Sequence, residues 1–309
     1  MTMLEDKPPI GPIEPGELPL VQAPDRIWRS IEAALAIEQK QRLPWWQLAV
    51  ASLAVMGLIV YFATRPPKAS WDIVRLDGAP SVDSKPLSGT GKIEVGDWLQ
   101  TDAASRARIT IGTIGTVEVE PESRVRLVTA SPTEHRLALA RGEISAVVSA
   151  PPRLFFVDLP AGTAVDLGCA YKMKVEDNGT GLLRVTLGWV SLEWGGRESL
   201  VPAGANSRTR PGSPPGTPYF ADAPDALQQA LTGFDFGKGG IDVVLAQARV
   251  RDTLTLWHLL SRVDAGERAR VFDRMVELVP LPNGVTREKA LQLDAATLKL
   301  WREELAWKW

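Results

Sequence analysis

The sequence predicts a mainly β domain that is preceded by one transmembrane helix and followed by an all-α domain of helical hairpins. Three observations predict this order of parts. Residues 43–64 contain no charged side chain. Between residues 71 and 210, apolar and polar residues alternate in short runs, which is typical of strands. From residue 222 to residue 309, apolar residues recur at spacings of three and four, which indicates helices.

Residues 1–42 are predicted to form a tail that carries one amphipathic helix. Six prolines before Asp25 argue against a packed fold in the first part of the tail. After Asp25, apolar residues follow one face of a helix of about four turns, which breaks at Pro44. Two interpretations stay open: the helix lies on the membrane or extends the anchor, or it docks onto a cytoplasmic partner. The candidate partner contacts are Trp28, Ile31 and Leu35.

The uncharged segment 43–64 is long enough to span a membrane once. Its 22 residues would rise about 33 Å as a helix, and the hydrocarbon core is about 30 Å thick. A buried core helix is the alternative, but few soluble helices are apolar on every face over this length. Aromatic residues mark both ends of the segment, as they do at membrane interfaces: Trp45, Trp46, Tyr61 and Phe62.

Basic residues do not decide the orientation of this span, because equal numbers lie near its two ends. The sizes of the flanking parts differ, since a short tail precedes the span and a body of about 240 residues follows it. We therefore expect a cytoplasmic N-terminus and an exported C-terminal body.

The segment 71–210 is predicted to be all-β. Turn residues separate its alternating runs every eight to twelve residues. Asn178-Gly179 predicts a type I′ hairpin turn. The run 154–157 is apolar on both faces, which predicts a strand buried on both sides. Two architectures remain open, a β-sandwich and a short β-solenoid.

Prolines and glycines in residues 211–221 predict a linker, and therefore a domain boundary. In the helical segment that follows, Asp264 with Glu267 resembles a capping box. Thr286 and Asp294 are predicted to cap two later helices.

The composition argues against several classes of function. A formal net charge of -2 indicates no nucleic-acid partner. One cysteine excludes an intramolecular disulfide, and two distant histidines make a zinc site improbable. No catalytic constellation is recognisable, so we expect a protein that is not an enzyme and has no catalytic residues, metal, cofactor or small-molecule substrate. Four carboxylates lie on or near strands, Asp97, Glu118, Glu120 and Asp166, and alternation explains one pair of them, Glu118 and Glu120, as a solvated face.

The middle segment resembles the FecR-type domain of bacterial iron-dicitrate transport regulators and their relatives. The matching residues occur in order over about 110 residues: 95–101, 108–111, 115–119, 121–123, 139–144, 156–165, 185–190 and 201–204. Where the family usually has a Gly-Thr pair, this chain has Gly168-Cys169, which suggests a small buried thiol with a packing role.

The resemblance implies a cytoplasmic segment, one transmembrane helix in the bacterial inner membrane and a periplasmic FecR domain. Such proteins relay an envelope signal to an extracytoplasmic-function sigma factor, often after proteolysis within the membrane. Two features depart from the family: the tail is short, and helices replace the small receptor-contacting domain of siderophore regulators.

Two functional hypotheses follow. In the first, a membrane signalling protein has protein partners in both the envelope and the cytoplasm, the latter a sigma factor or similar protein. In the second, the chain is a membrane-tethered envelope scaffold or binding protein without a regulatory role.

Overall fold

The structure is a computed structural model that describes residues 25–40, 50, 54, 56–57 and 69–309. Contacts divide the chain into two units, residues 1–67 and residues 68–309. In the first unit, Asp25–Lys40 forms helix α1, as predicted. Every side chain described in α1, from Asp25 to Ala33, is exposed.

The predicted span, residues 43–64, lies outside the described residues except at four positions. Val50, Ala54, Met56 and Gly57 are helical. Among the helices of the described residues, none combines the length and the apolar character needed to cross a membrane. The predicted unpacked tail, residues 1–24, also lies outside the described residues.

The second unit begins with seventeen strands. Their bounds are β1 Ser70–Asp77, β2 Ser81–Val82, β3 Lys85–Pro86, β4 Thr90–Glu94, β5 Trp98–Gln100, β6 Arg106–Ile111, β7 Gly115–Val119, β8 Arg124–Ser131, β9 Glu134–Val148, β10 Phe155–Leu159, β11 Gly162–Asp166, β12 Ala170–Val175, β13 Gly181–Leu187, β14 Trp189–Trp194, β15 Arg197–Pro202, β16 Ala205–Thr209 and β17 Tyr219–Phe220.

Pairing arranges these strands in two sheets. Sheet I has the order β4-β1-β6-β7-β9-β12-β13-β16-β17. Sheet II has the order β3-β2-β5-β8-β9-β10-β11-β14-β15. All of these pairs are antiparallel except β9 with β10. The apolar side chains of both sheets form one buried cluster, so the architecture is a β-sandwich, and the prediction of a mainly β domain is confirmed.

Strand β9 belongs to both sheets. Its first half, up to Arg141, pairs with β8 in sheet II, and its second half, from Gly142, pairs with β12 in sheet I. The transition occurs at Gly142, whose φ is +89°. A methyl group on Gly142 would lie 2.5 Å from Cβ of Ser123. This position therefore requires glycine for two reasons: its φ is positive, and Ser123, just before β8, lies too close for a side chain.

The hairpin between β12 and β13 differs from the predicted type I′ turn. That turn needs a positive φ at both central residues, but here Gly179 has a positive φ of +79° and Asn178 does not. The Gly179 amide donates to the Glu176 carbonyl at 2.8 Å, and the Glu176 amide donates to the Thr180 carbonyl at 2.8 Å. This pattern fits a type I turn followed by a glycine bulge. The Asn178 side chain accepts the Thr180 amide at 2.9 Å, which stabilises the loop.

Strand β10 is buried on one face rather than on both. Phe155 and Val157 are fully buried in the sandwich, whereas Phe156 is half-buried on the outer side. The guanidinium carbon of Arg136 lies 4.5 Å from the centre of the Phe156 ring. A long cationic side chain therefore covers the outer face of β10. The periodicity of the sequence alone does not distinguish such a cover from a second apolar layer.

Helices follow the sandwich, as predicted, and have their own apolar cluster. Asp264 accepts the Glu267 amide at 2.9 Å, Thr286 accepts the Lys289 amide at 3.4 Å, and Asp294 accepts the Thr297 amide at 2.8 Å. The three residues therefore act as N-caps, as predicted, and at Asp264 the structure shows the N-cap half of the predicted capping box. The helices are α2 Asp225–Phe236, α3 Asp242–Gln247, α4 Thr253–Leu260, α5 Ala265–Leu278, α6 Arg287–Leu291 and α7 Ala295–Leu305, with 3-10 turns at Val250–Asp252 and Ala306–Lys308.

Within the predicted linker, residues 211–221, the chain is more ordered than its composition indicates. Residues 215–220 are buried, and Tyr219–Phe220 forms β17 against β16. The Gly216 amide donates to the Arg208 carbonyl at 2.8 Å. The sequence-based domain bounds stay predictions, but residues 215–220 are part of the packed body.

We predict that Gly142→Ala lowers the free energy of unfolding by about 3 kcal/mol, because it adds a clash with Ser123 to an unfavourable φ. Gly112→Ala is the matched control: its φ is +48°, but nothing lies within 4 Å of an added methyl group. We expect this control to lose only about 1 kcal/mol. Denaturant titrations monitored by tryptophan fluorescence measure the free energy of unfolding of both variants. Equal losses would contradict the role assigned to the close approach.

Candidate functional site

The first candidate surface is the apolar face of α1. Ile27, Trp28 and Ile31 are 49%, 57% and 43% exposed. The third predicted contact, Leu35, lies on the same helix, but beyond the side chains that the structure describes. Apolar residues that follow one face of an exposed helix are typical of a surface that a partner or a membrane covers.

The second candidate region is the junction between the sandwich and the C-terminal helices. The two residues of β17 point to opposite sides, as consecutive residues of a strand do. Phe220 packs into the sandwich cluster, and Tyr219 packs into the helical cluster. Leu254, which belongs to helix α4, packs in the sandwich cluster. Trp309 packs against both clusters, and its indole nitrogen donates to Thr253 Oγ1 at 3.0 Å.

Arg262, just after α4, connects the helices to the sandwich. Its guanidinium donates to the carbonyls of Pro215 and Glu198, at 3.0 and 3.2 Å. It also donates to Ser199 Oγ at 2.7 Å and lies 3.7 Å from the Asp235 carboxylate. Only 6% of the Arg262 side chain and 9% of the Asp235 side chain are exposed. Burial lowers the pKa of Arg262 to about 10, so the side chain stays charged at neutral pH.

His258 makes a second connection, one helical turn before Arg262. Its Nε2 accepts the amide of Leu200 in β15 at 3.1 Å, while Nδ1 lies 2.9 Å from the Leu254 carbonyl. One neutral tautomer, with the proton on Nδ1, satisfies both contacts. Burial, followed by the charges of Arg262 and Arg302, lowers the pKa of His258 to about 3. His258 is therefore neutral at physiological pH.

The sequence does not mark Arg262, Asp235 and His258 as a connected group. One signal was present, because His258 and Arg262 are four residues apart and lie on one helical face beside leucines. Asp235 belongs to another helix, so its approach to Arg262 depends on the tertiary fold.

Two adjoining clefts lie beside this junction. The junction cleft, of about 400 Å³, lies between β15 and helices α4 and α7. The sheet cleft, of about 550 Å³, lies on sheet II between Arg153 and the β14–β15 hairpin. Both clefts are lined by the same three residues of that hairpin, Gly196, Arg197 and Glu198.

Cys169 is 2% exposed, which agrees with the predicted packing role. Its thiol donates a short hydrogen bond to the buried Asp166 carboxylate. Burial, together with this carboxylate, raises the pKa of the Cys169 thiol. A thiol of this kind is a poor nucleophile, because the thiolate is the reactive form.

The other carboxylates singled out in the sequence make structural contacts. Glu118 pairs with Arg108. Asp97 accepts the Glu94 amide at 2.9 Å, and Glu120 accepts the Ser145 hydroxyl at 3.4 Å. Within the described ranges, no three His, Cys, Asp or Glu side chains come together as a metal site would require.

The central part of the sandwich matches a known protein family. Residues 97–191 match the family described as FecR protein. This segment is a FecR domain. It extends from β5 to the middle of β14, so the junction and the helices lie outside the match.

Solved structures show only a distant similarity. Two crystal structures of a candidate anti-sigma factor from Parabacteroides distasonis have TM-scores of 0.36, at 14% and 13% identity. Each match covers 44% of this chain and less than two thirds of the other chain, 63% and 64%. No curated protein matches the sequence.

Within the FecR domain, two family-pattern residues support the transition of β9 between sheets. Thr101 Oγ1 accepts the Ser123 amide at 2.8 Å and donates to the Glu120 carbonyl at 2.7 Å. Ser123 Oγ accepts the Glu143 amide, next to Gly142, at 2.9 Å. These side chains satisfy backbone groups where the ladder changes partners, so their role is structural.

We predict that protonation of His258 destabilises the fold below about pH 6.5. In that range the unfolded state binds a proton, while native His258 stays neutral until about pH 3. Stability is therefore complete above pH 6.5 and decreases as the pH falls. His258→Gln keeps an acceptor for the Leu200 amide but does not titrate. Between pH 5.5 and 4, the free energy of unfolding of the wild type should fall, relative to this variant, by about 1.4 kcal/mol per pH unit. Parallel curves from chemical denaturation would contradict the prediction.

Proposed function

We propose that this protein is a single-pass signalling protein of the bacterial inner membrane, without enzymatic activity. Its exported FecR domain receives an envelope signal, and its cytoplasmic tail acts on a sigma factor or a similar partner. One observation carries the proposal: a FecR domain at residues 97–191 follows an uncharged segment of 22 residues, which itself follows an exposed amphipathic helix. This is the order of parts that the family resemblance implies.

The exposure of α1 supports a cytoplasmic protein partner. Ile27, Trp28 and Ile31 all expose more than two fifths of their surface. The opposite face carries Arg26 and Arg29. A partner that covers the apolar face would stabilise an isolated helix, because one of this length is marginal in water.

The length and the lack of charge of residues 43–64 support a membrane anchor. The unequal sizes of the flanking parts support export of the C-terminal body. A membrane-tethered scaffold shares this topology but does not need α1 to act on transcription, so α1 separates the two hypotheses.

We predict that Trp28→Ala combined with Leu35→Ala changes the transcription of the same genes as deletion of the whole protein. Arg26→Ala combined with Arg29→Ala alters the opposite face and should leave transcription unchanged. RNA sequencing, with protein levels matched by immunoblot, measures the effect. If the deletion changes transcription and the apolar double variant does not, signalling through α1 is wrong. If the deletion itself has no effect, the scaffold hypothesis is favoured.

We predict that a membrane-impermeant maleimide, applied to cells with a permeabilised outer membrane, labels an Asp177→Cys variant but not a Ser30→Cys variant. The Asp177 side chain is 87% exposed on the body, and Ser30 is exposed on α1. Ser30→Cys should become labelled only after lysis. The native Cys169 is buried, so the wild type measures the background. Labelling of Ser30→Cys in intact cells would reverse the proposed orientation.

A further inference from the structure

The junction cleft is lined by both apolar and basic side chains. Leu200, Trp257 and Leu298 supply apolar side chains, from β15, α4 and α7 respectively. Four cationic side chains line the cleft, and Glu198 is the one carboxylate among the lining residues of this described region. The four cations are Arg197, Arg262, Lys299 and Arg302.

Two of these cations form no ion pair within 4 Å among the described residues, although Arg197 is close enough to the Asp235 carboxylate to act on its charge. Arg262 lies 3.7 Å from Asp235, and Lys299 lies 3.9 Å from Glu303. In the part of the chain that the structure describes, Arg197 and Arg302 form no ion pair. Because the whole protein has a net charge of -2, this cleft is a local concentration of positive charge on a weakly acidic molecule.

The charges act on each other across the cleft. Arg302 contributes to the lowered pKa of His258, after burial and Arg262. Arg197 contributes to the lowered pKa of Arg262, after burial. An anion bound between Arg197 and Arg302 would reduce the repulsion among these cations.

The adjoining sheet cleft extends the site. It shares Arg197 with the junction cleft and adds the exposed Trp194 and the half-buried Phe156. Its other two arginines are already paired, Arg153 with Glu193 at 2.7 Å and Arg136 with Asp158 at 2.6 Å. The unpaired positive charge therefore lies at the junction, and the exposed Trp194 lies beyond it in the sheet cleft.

We propose that the two clefts bind an extended acidic peptide segment of an envelope protein. The carboxylates of the peptide contact Arg197 and Arg302, and its apolar side chains contact Leu200, Trp257 and Leu298. The proposal rests on the proposed signalling function, since it names the partner of the exported body. An extended ligand fits because the two clefts adjoin at one hairpin, where they share Gly196, Arg197 and Glu198. A peptide can place aliphatic side chains against Leu200 and Leu298 and carboxylates against the cations, whereas an acidic glycan carries no aliphatic side chains. The indole rings of Trp257 and Trp194 suit either ligand, so they do not decide between the two.

The test uses the full-length chain in an uncharged detergent and fluorescence anisotropy of a labelled heptapeptide of alternating Glu and Leu. We expect saturable binding that weakens as salt is raised, and no comparable binding of the matched peptide of alternating Lys and Leu. Arg197→Ala combined with Arg302→Ala should weaken the binding about tenfold. Arg184→Ala combined with Lys238→Ala removes two exposed cations outside both clefts and should leave it unchanged.

Four results would overturn the proposal. They are no binding up to millimolar peptide, equal binding of the Lys peptide, equal loss in the control variant, and tighter binding of polygalacturonate than of the peptide with the same dependence on Arg197 and Arg302. The last result would assign the clefts to an anionic glycan.

The outcome is independent of the test of α1. If the α1 variant leaves transcription unchanged while the peptide binds, the signalling function is wrong and the binding site stands. If the α1 variant changes transcription while the peptide does not bind, the binding site is wrong and the signalling function stands.

Discussion

The passage of one strand through two sheets is the constraint on which the sandwich depends. Strand β9 is 15 residues long and pairs with β8 in one sheet and with β12 in the other. Gly142 permits the change of direction, and Ser123 binds the backbone beside it. Because the sheets are joined through this strand, their inner faces are held over one shared apolar core. The matched FecR segment contains all of these residues.

Strand β17 likewise contributes side chains to two apolar cores, and it thereby connects the sandwich to the helices. Phe220 and Tyr219 are neighbours in sequence, yet each packs in a different apolar cluster. Arg262 then donates to the Pro215 carbonyl and to the Thr217 hydroxyl, in the segment that the sequence indicates as a linker. A buried guanidinium is costly unless its donors are satisfied, so this network makes the position of α4 against β15 specific.

The junction cleft lies where residues from both cores meet, so a ligand bound there would contact the sandwich and the helices together. A ligand can shift a conformational equilibrium only through different affinities for its states. Binding in this cleft would therefore act on the proposed signalling only by favouring one packing of the sandwich against the helices over another.

Local patterns were sufficient to predict much of the fold. Alternation over two-residue periods identified strands such as β6, β12 and β13, because side-chain direction in a strand depends on the residue's own backbone. The helix caps at Asp264, Thr286 and Asp294 were predictable because an N-cap involves residues only three apart. The family motifs were recognisable for the same reason, because their order is a property of the sequence itself.

The tertiary structure decided what depends on residues distant in sequence. The choice of a sandwich follows from pairings of β9 with four other strands, which no local period encodes. Arg262 and Asp235 meet only when two helices pack against the sandwich, and Arg197 joins Arg302 across a cleft only then. The sequence by itself determined the elements and their order; the burial of charge and the shape of the clefts arise from packing, which joins residues far apart in the chain.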